Sequence, residues 1–111
     1  MPLSPDFYRS AMQQLSSARP VTGRKMFGGA GLYLDGAFFC ILDDDKVFFK
    51  VDDATKAAYE EAGMGVWVMA GQPNDKYREL PAEVYADLET LGVWIDASAE
   101  VARRGAAKKK R

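Results

Sequence analysis

Four residues, Leu34-Asp35-Gly36-Ala37, constrain the fold of this chain more than any others. Asp-Gly accepts the positive φ angles of a tight type I′ turn, so this is its strongest hairpin signal. Pairing Leu34 with Ala37 sets Leu32 opposite Phe39 and Ala30 opposite Ile41. The next turn runs through Asp43-Asp44-Asp45, and hydrophobic parity selects its register, because a slip of one residue exchanges the two faces. A three-residue loop there pairs Ile41 with Val47, Phe39 with Phe49 and Ala37 with Val51. One face then carries Ala30, Leu32, Leu34, Phe39, Ile41, Val47, Phe49 and Val51 without a charge, and is the predicted core. The other mixes Gly29, Gly31, Tyr33, Phe38, Cys40, Leu42 and Phe48 with Lys46 and Lys50. Such a face is either covered by later chain or meets a partner.

Helical signals flank this sheet. Ser4 can cap a helix, Pro5 suits its first position, Asp6 suits its positive end, and Leu3 can staple onto Tyr8. Phe7, Tyr8, Ala11, Met12 and Leu15 recur at helical spacing, which predicts a helix from Pro5 to about Ser17, ended by Pro20. Asp52 or Asp53 caps a short helix over Ala54–Ala62, closed by Gly63. Strands are expected over Val66–Met69 and Lys76–Leu80, around a turn at Gly71–Asp75. After Pro81, Val84, Leu88, Leu91, Ile95 and Ala99 form one helical stripe beside Trp94, with a break at Asp87 or Gly92. These segments amount to about five to six strands with helices before, among and after them.

A chain of 111 residues is one domain by length, and its 48% hydrophobic content provides a core. The division expected is a domain over residues 1–102 and a basic, fraying tail over 103–111. Residues 1–101 carry a net charge of −7, whereas the last ten hold Arg103, Arg104, Lys108, Lys109, Lys110 and Arg111. An acidic body is not the surface of a nucleic-acid grip. The six tail cations could still bind nucleic acid weakly and without sequence preference. A solubilising tail is the competing reading, since no aromatic residue is interleaved for stacking. No apolar run approaches the roughly 20 residues that span a bilayer, and the N-terminus lacks signal-peptide regions, so a cytoplasmic location is expected.

Chemistry is sparsely signalled. With no histidine in the chain, the commonest metal ligand and the Cys/His and Ser/His/Asp arrangements are missing. Cys40 lies mid-strand without a base, so no catalytic residue is assigned. The aspartates at 43–45, 52 and 53 lack the ligand spacing of a calcium loop, and no metal or cofactor is expected. Gly28-Gly29-Ala30-Gly31 leads into a strand instead of a helix, unlike a phosphate-binding loop. Gly28, Gly29, Gly31 and Gly36 are therefore expected to shape backbone. Arg24 and Lys25 alternate onto opposite faces of their strand. They are either solvated charges or contacts to an anion or acidic partner.

Arg24-Lys25-Met26-Phe27-Gly28-Gly29-Ala30-Gly31-Leu32-Tyr33 resembles the signature of the TfoX N-terminal domain family. Asp35-Gly36, Phe48-Phe49-Lys50-Val51-Asp52 and Tyr77-Arg78-Glu79-Leu80-Pro81 support the likeness, which runs from about Phe7 to Ala102. The resemblance implies an α+β fold similar to the secretion-chaperone class, an antiparallel sheet of about five to six strands with N-terminal and C-terminal helices mainly on one face. It also implies a non-enzymatic, bacterial role in regulating competence and transcription. Full-length members look like two domains, the second a helical module often tied to DNA, and the likeness here covers the first alone. An unidentified protein partner is expected at Arg24, Lys25, Phe27 and Tyr33, with no membrane contact. Nucleic-acid binding through the tail and an unrecognised small-molecule or enzymatic pocket beside the sheet are the alternatives.

Overall fold

The computed structural model describes residues 3–26 and 28–109. Helix α1 (Pro5–Ala18) leads into β1 (Thr22–Met26), β2 (Gly29–Leu34), β3 (Ala37–Asp43) and β4 (Lys46–Lys50). Helix α2 (Lys56–Glu61), β5 (Val66–Met69), β6 (Gln72–Glu79), α3 (Ala82–Ala86) and α4 (Leu88–Lys109) follow. The six strands form one antiparallel sheet in the order β1-β2-β3-β4-β6-β5. This is the α+β architecture that the sequence predicts.

Helix α1 begins as its residues dictate. Ser4 is extended, its Oγ accepts from the Phe7 N–H at 3.2 Å, and Pro5 follows at the first helical position. Ala11 and Leu15 are buried. Arg19, just beyond the helix, forks onto Asp96 of α4: Nε donates to Oδ1 at 2.9 Å and Nη2 to Oδ2 at 2.8 Å. A Cβ on Gly92 would meet this guanidinium. The hydrogen bond from Arg19 holds the Asp96 carboxyl below its ordinary value of 3.8. A depressed carboxyl contributes stability above the unfolded-state pKa and loses it as pH falls through the folded one. Arg19→Met should therefore flatten the acid limb of a stability profile below about pH 4, checked by urea unfolding at stepped pH. An unchanged acid limb would remove this pair from the acid response.

The central hairpin turns where expected. Asp35 and Gly36 have φ of 49° and 81°, and Leu34 pairs with Ala37. Beyond that pair the register departs from simple alternation. Leu32 lies opposite Cys40 and Ala30 opposite Leu42, because β3 carries one extra residue across from Leu32 and Tyr33. Phe39 and Cys40 both enter the core as a result. The next turn is shorter than expected: Asp44 and Asp45, each at φ 53°, join strands that pair Leu42 with Val47 and Cys40 with Phe49. Aspartate tolerates this left-handed region, so two residues suffice. Cys40 and Leu42 thus belong to the core, and Ile41 leaves it for the opposite face. Ser98 of α4 secures the bulge, its buried Oγ lying 3.1 Å from the Phe39 carbonyl and 2.8 Å from that of Lys50.

Other boundaries shift for local reasons. Asp52 does not cap α2 directly. Its Oδ1 accepts from the N–H groups of Ala54 and Thr55, forming a turn ahead of a helix that starts at Lys56. Ala70 and Gly71 make the β5–β6 turn with φ of 53° and 77°, so β6 begins at Gln72 and includes Pro73. Pro73 is tolerated because β4 pairs with β6 only at residues 77–79, leaving β6 with β5 alone at that point. The final helical region breaks at Asp87, whose Oδ2 accepts from the Thr90 N–H. Leu88, expected in the buried stripe, is 43% exposed, while Leu91, Ile95, Ala99 and Ala102 are buried. Helical backbone also continues past Val101 to Lys109. All four helices contribute to one cluster, where Leu15, Tyr59, Val84 and Ile95 meet Leu32, Phe39, Leu42 and Phe49.

Candidate protein-interaction face

With the helices gathered on one side, the other face of the sheet carries a second apolar cluster. Ile41, Phe48 and Tyr77 form its base, with Phe38 and Trp67 packed against them. Four rings cross the sheet from β2 to β5. Tyr33 stacks on Phe38 with centroids 5.2 Å apart, Phe38 lies 6.4 Å from Tyr77, and Trp67 meets Tyr77 edge-on at 5.6 Å. The Trp67 Nε1–H donates to Asp43 Oδ2 at 3.0 Å, which fixes the indole over the sheet. Lys50 Nζ sits 5.7 Å from the Tyr77 ring centroid. Burial pushes the Tyr77 hydroxyl up to about 12, so it stays neutral at physiological pH. Among the described residues no helix covers this belt, and Tyr33, Phe38 and Trp67 remain partly exposed.

The residues singled out from sequence divide between the two faces. Arg24 pairs with Gly31, and a Cβ on Gly31 would lie 2.6 Å from Phe38 Cε1 and 2.8 Å from Met26 Cε. Arg24 therefore shares the aromatic face with Tyr33. Lys25 pairs with Ala30 and lies on the helix side, its Nζ 5.1 Å from the Tyr8 ring centroid. Phe27 lies outside the described residues. Gly28 has φ +80°, which non-glycine side chains rarely adopt, and a Cβ on Gly29 would come within 2.5 Å of the Leu42 carbonyl oxygen. Arg24 has no ionic partner among the described residues, and neither does Lys25.

The basic tail is differently placed. Arg103 pairs with Glu100 at 3.3 Å, and Arg104 reaches Asp52 at 2.7 Å. That hydrogen bond lowers the Asp52 carboxyl. Lys108 and Lys109 enter as helix backbone, and Lys110 and Arg111 lie outside the described residues. Arg103 and Arg104 line a cleft of about 1000 Å³ between the β2–β3 turn and the last turns of α4. Its other charges, including Asp53 and Lys56 at 3.3 Å, are of both signs. Such a lining does not select an anion. Cys40 is fully buried, and burial pushes its thiol well up, which makes it a poor nucleophile. Among the described residues no three Cys, Asp or Glu side chains are grouped to hold a metal, and no helix is long and apolar enough to cross a membrane.

Sequence reasoning named Tyr33 and grouped Phe38 with Phe48, but did not bring Trp67 and Tyr77 to them. Those two come from strands whose place beside β4 cannot be read from local pattern. The available signal was compositional: aromatic residues recur in separate strands of a chain that is 12% aromatic.

The fold and this face define a class: a small α+β domain whose open sheet is helix-covered on one side and aromatic on the other. The model of the TfoX N-terminal domain matches residues 13–102, most of the chain, and the protein belongs to that family. The TfoX N-terminal domain is not a known enzyme family. No curated protein sequence matches the chain.

Proposed function

We propose that this protein is a non-catalytic regulatory domain that binds a protein partner through the helix-free sheet face and the neighbouring Arg24–Tyr33 segment. The observation that carries this reading is the ring belt of Tyr33, Phe38, Tyr77 and Trp67, with no helix over it among the described residues. Partly exposed aromatic and arginine side chains on a rigid scaffold are the usual anchors of protein interfaces. Family membership supports regulation as the context, with competence gene expression the process that the family's named members serve. The fully buried Cys40 and the absence of histidine support a role without covalent or acid–base chemistry.

The test is affinity capture from the source cell with three proteins: the natural sequence, Arg24→Glu combined with Tyr33→Glu, and Glu89→Lys at an exposed position of α4. The double substitution should reduce recovery of a specific partner about tenfold or more, as expected when an interface anchor is lost. Glu89→Lys should retain it, and far-UV circular dichroism should show both variants folded. Retention of every partner by the double variant would defeat the proposal.

A further inference from the structure

We infer that the free edge of β1 is a strand-addition site that takes an extended acidic segment of a partner protein as a seventh strand. This rests on the interaction reading above and specifies its mode. Among the described residues β1 ends the sheet and pairs with β2 alone. Its residues Thr22, Gly23, Arg24 and Lys25 are all exposed. Alternate residues of such an edge strand turn their N–H and C=O groups outward, where they template another strand. Among the described residues, the backbone bonds that flank this strand are Leu3 N–H to the Gly28 carbonyl at the hairpin tip and Val21 N–H to the Arg19 carbonyl at the other end, both clear of Gly23–Lys25.

Charge selects the occupant. The body has a surplus of acids, and Arg9, Arg19, Lys56, Arg78, Arg103 and Arg104 all have carboxylate partners. Arg24, Lys25, Lys46 and Lys76 have none among the described residues, but Lys46 and Lys76 stand singly on β4 and β6, whereas Arg24 and Lys25 sit side by side on the one edge strand that bears charge. The other edge, Val66–Met69, has no charged residue. A second copy does not suit β1, because fully overlapped antiparallel copies would set Arg24 directly against Arg24. An acidic strand satisfies both cations. Arg24 projects to the aromatic face and Lys25 to the helix face, so two consecutive acidic residues reach them from opposite sides of the added strand. In an antiparallel addition the preceding residue falls opposite Met26, which favours an apolar side chain there. The strand also continues the sheet beside the aromatic belt, which makes one surface of the two.

The experiment uses the full chain and a fluorescein-labelled peptide, Thr-Val-Glu-Glu-Val-Thr, followed by anisotropy and by amide hydrogen exchange in NMR. Two further peptides carry backbone N-methyl groups on odd or on even positions. Saturable binding is expected, together with slowed exchange in the Gly23–Met26 segment. One methylated peptide should lose binding and the other keep it, since only one edge of the peptide pairs with β1. Arg24→Glu with Lys25→Glu should weaken binding about tenfold or more, from two opposite-charge pairs made repulsive, whereas Lys46→Glu should not. No saturable binding, or equal binding of both methylated peptides, would overturn strand addition. Protection confined to Tyr33, Phe38 and Trp67 would overturn it too, while leaving the interaction face itself in place.

Discussion

Phe39→Ala is expected to cost about 3–5 kcal/mol, the upper range for a single truncation. Phe39 is fully buried and meets Phe49 edge-on with ring centroids 5.2 Å apart. It is also the residue left without a cross-strand partner at the bulge, and its ring lies on the core side of β3 beside Cys40. The ring's removal forfeits its transfer free energy and leaves a cavity beside Phe49 that the surrounding core can close only in part. Single domains of this size are stable by about 5–15 kcal/mol, so the loss is a large share of the whole. A midpoint lower by about 12–25 °C should follow in calorimetry, at roughly 4–5 °C for each kcal/mol. A loss below about 1 kcal/mol would mean that Phe39 does not occupy the core.

That residue also shows where sequence reasoning held and where it stopped. Asp35-Gly36 was legible because a turn that needs two positive φ angles leaves few alternatives in sequence. Helix α1 was legible because Ser4-Pro5-Asp6 and the apolar spacing agree on one start. Parity then failed at β3, for a physical reason: a bulge adds a residue without leaving any mark in composition. Phe39-Cys40-Ile41-Leu42 is apolar throughout, so either assignment of Ile41 buries hydrophobic side chains. The fact that decides it is three-dimensional, the Ser98 hydroxyl from α4 lying against the Phe39 carbonyl. Site residues divided in the same way. Arg24 and Lys25 were placed on opposite faces by simple alternation, as they are found. Tyr33 and Phe38 were placed on one face, but the addition of Tyr77 and Trp67 to them was not foreseeable, because it depends on β6 crossing to lie between β4 and β5.

Strand β6 also brings a charge into the protein, and the two halves of its ion pair should respond unequally to substitution. Arg78 is buried on the helix side, with Nη2 donating to Glu60 Oε2 of α2 at 3.0 Å. Its Nε–H has no partner among the described residues. Half of the Glu60 side chain is exposed, whereas 11% of the Arg78 side chain is. Glu60→Ala therefore strands the less solvated charge and should cost about 1–3 kcal/mol, less than a fully buried pair because water reaches the vacated site. Arg78→Met removes the buried charge together with its unpaired donor, keeps most of the apolar stem's packing, and frees Glu60 to solvent. Its cost should be under about 1 kcal/mol, since an apolar residue of similar volume often replaces a buried ion without penalty. Urea unfolding of both variants checks the order. If Arg78→Met proves the more damaging, then the pair itself, and not the burden of burying a charge, anchors α2 to the sheet. The double variant separates the two accounts: added to Arg78→Met, Glu60→Ala should cost little more than an ordinary surface substitution, within about 0.5 kcal/mol.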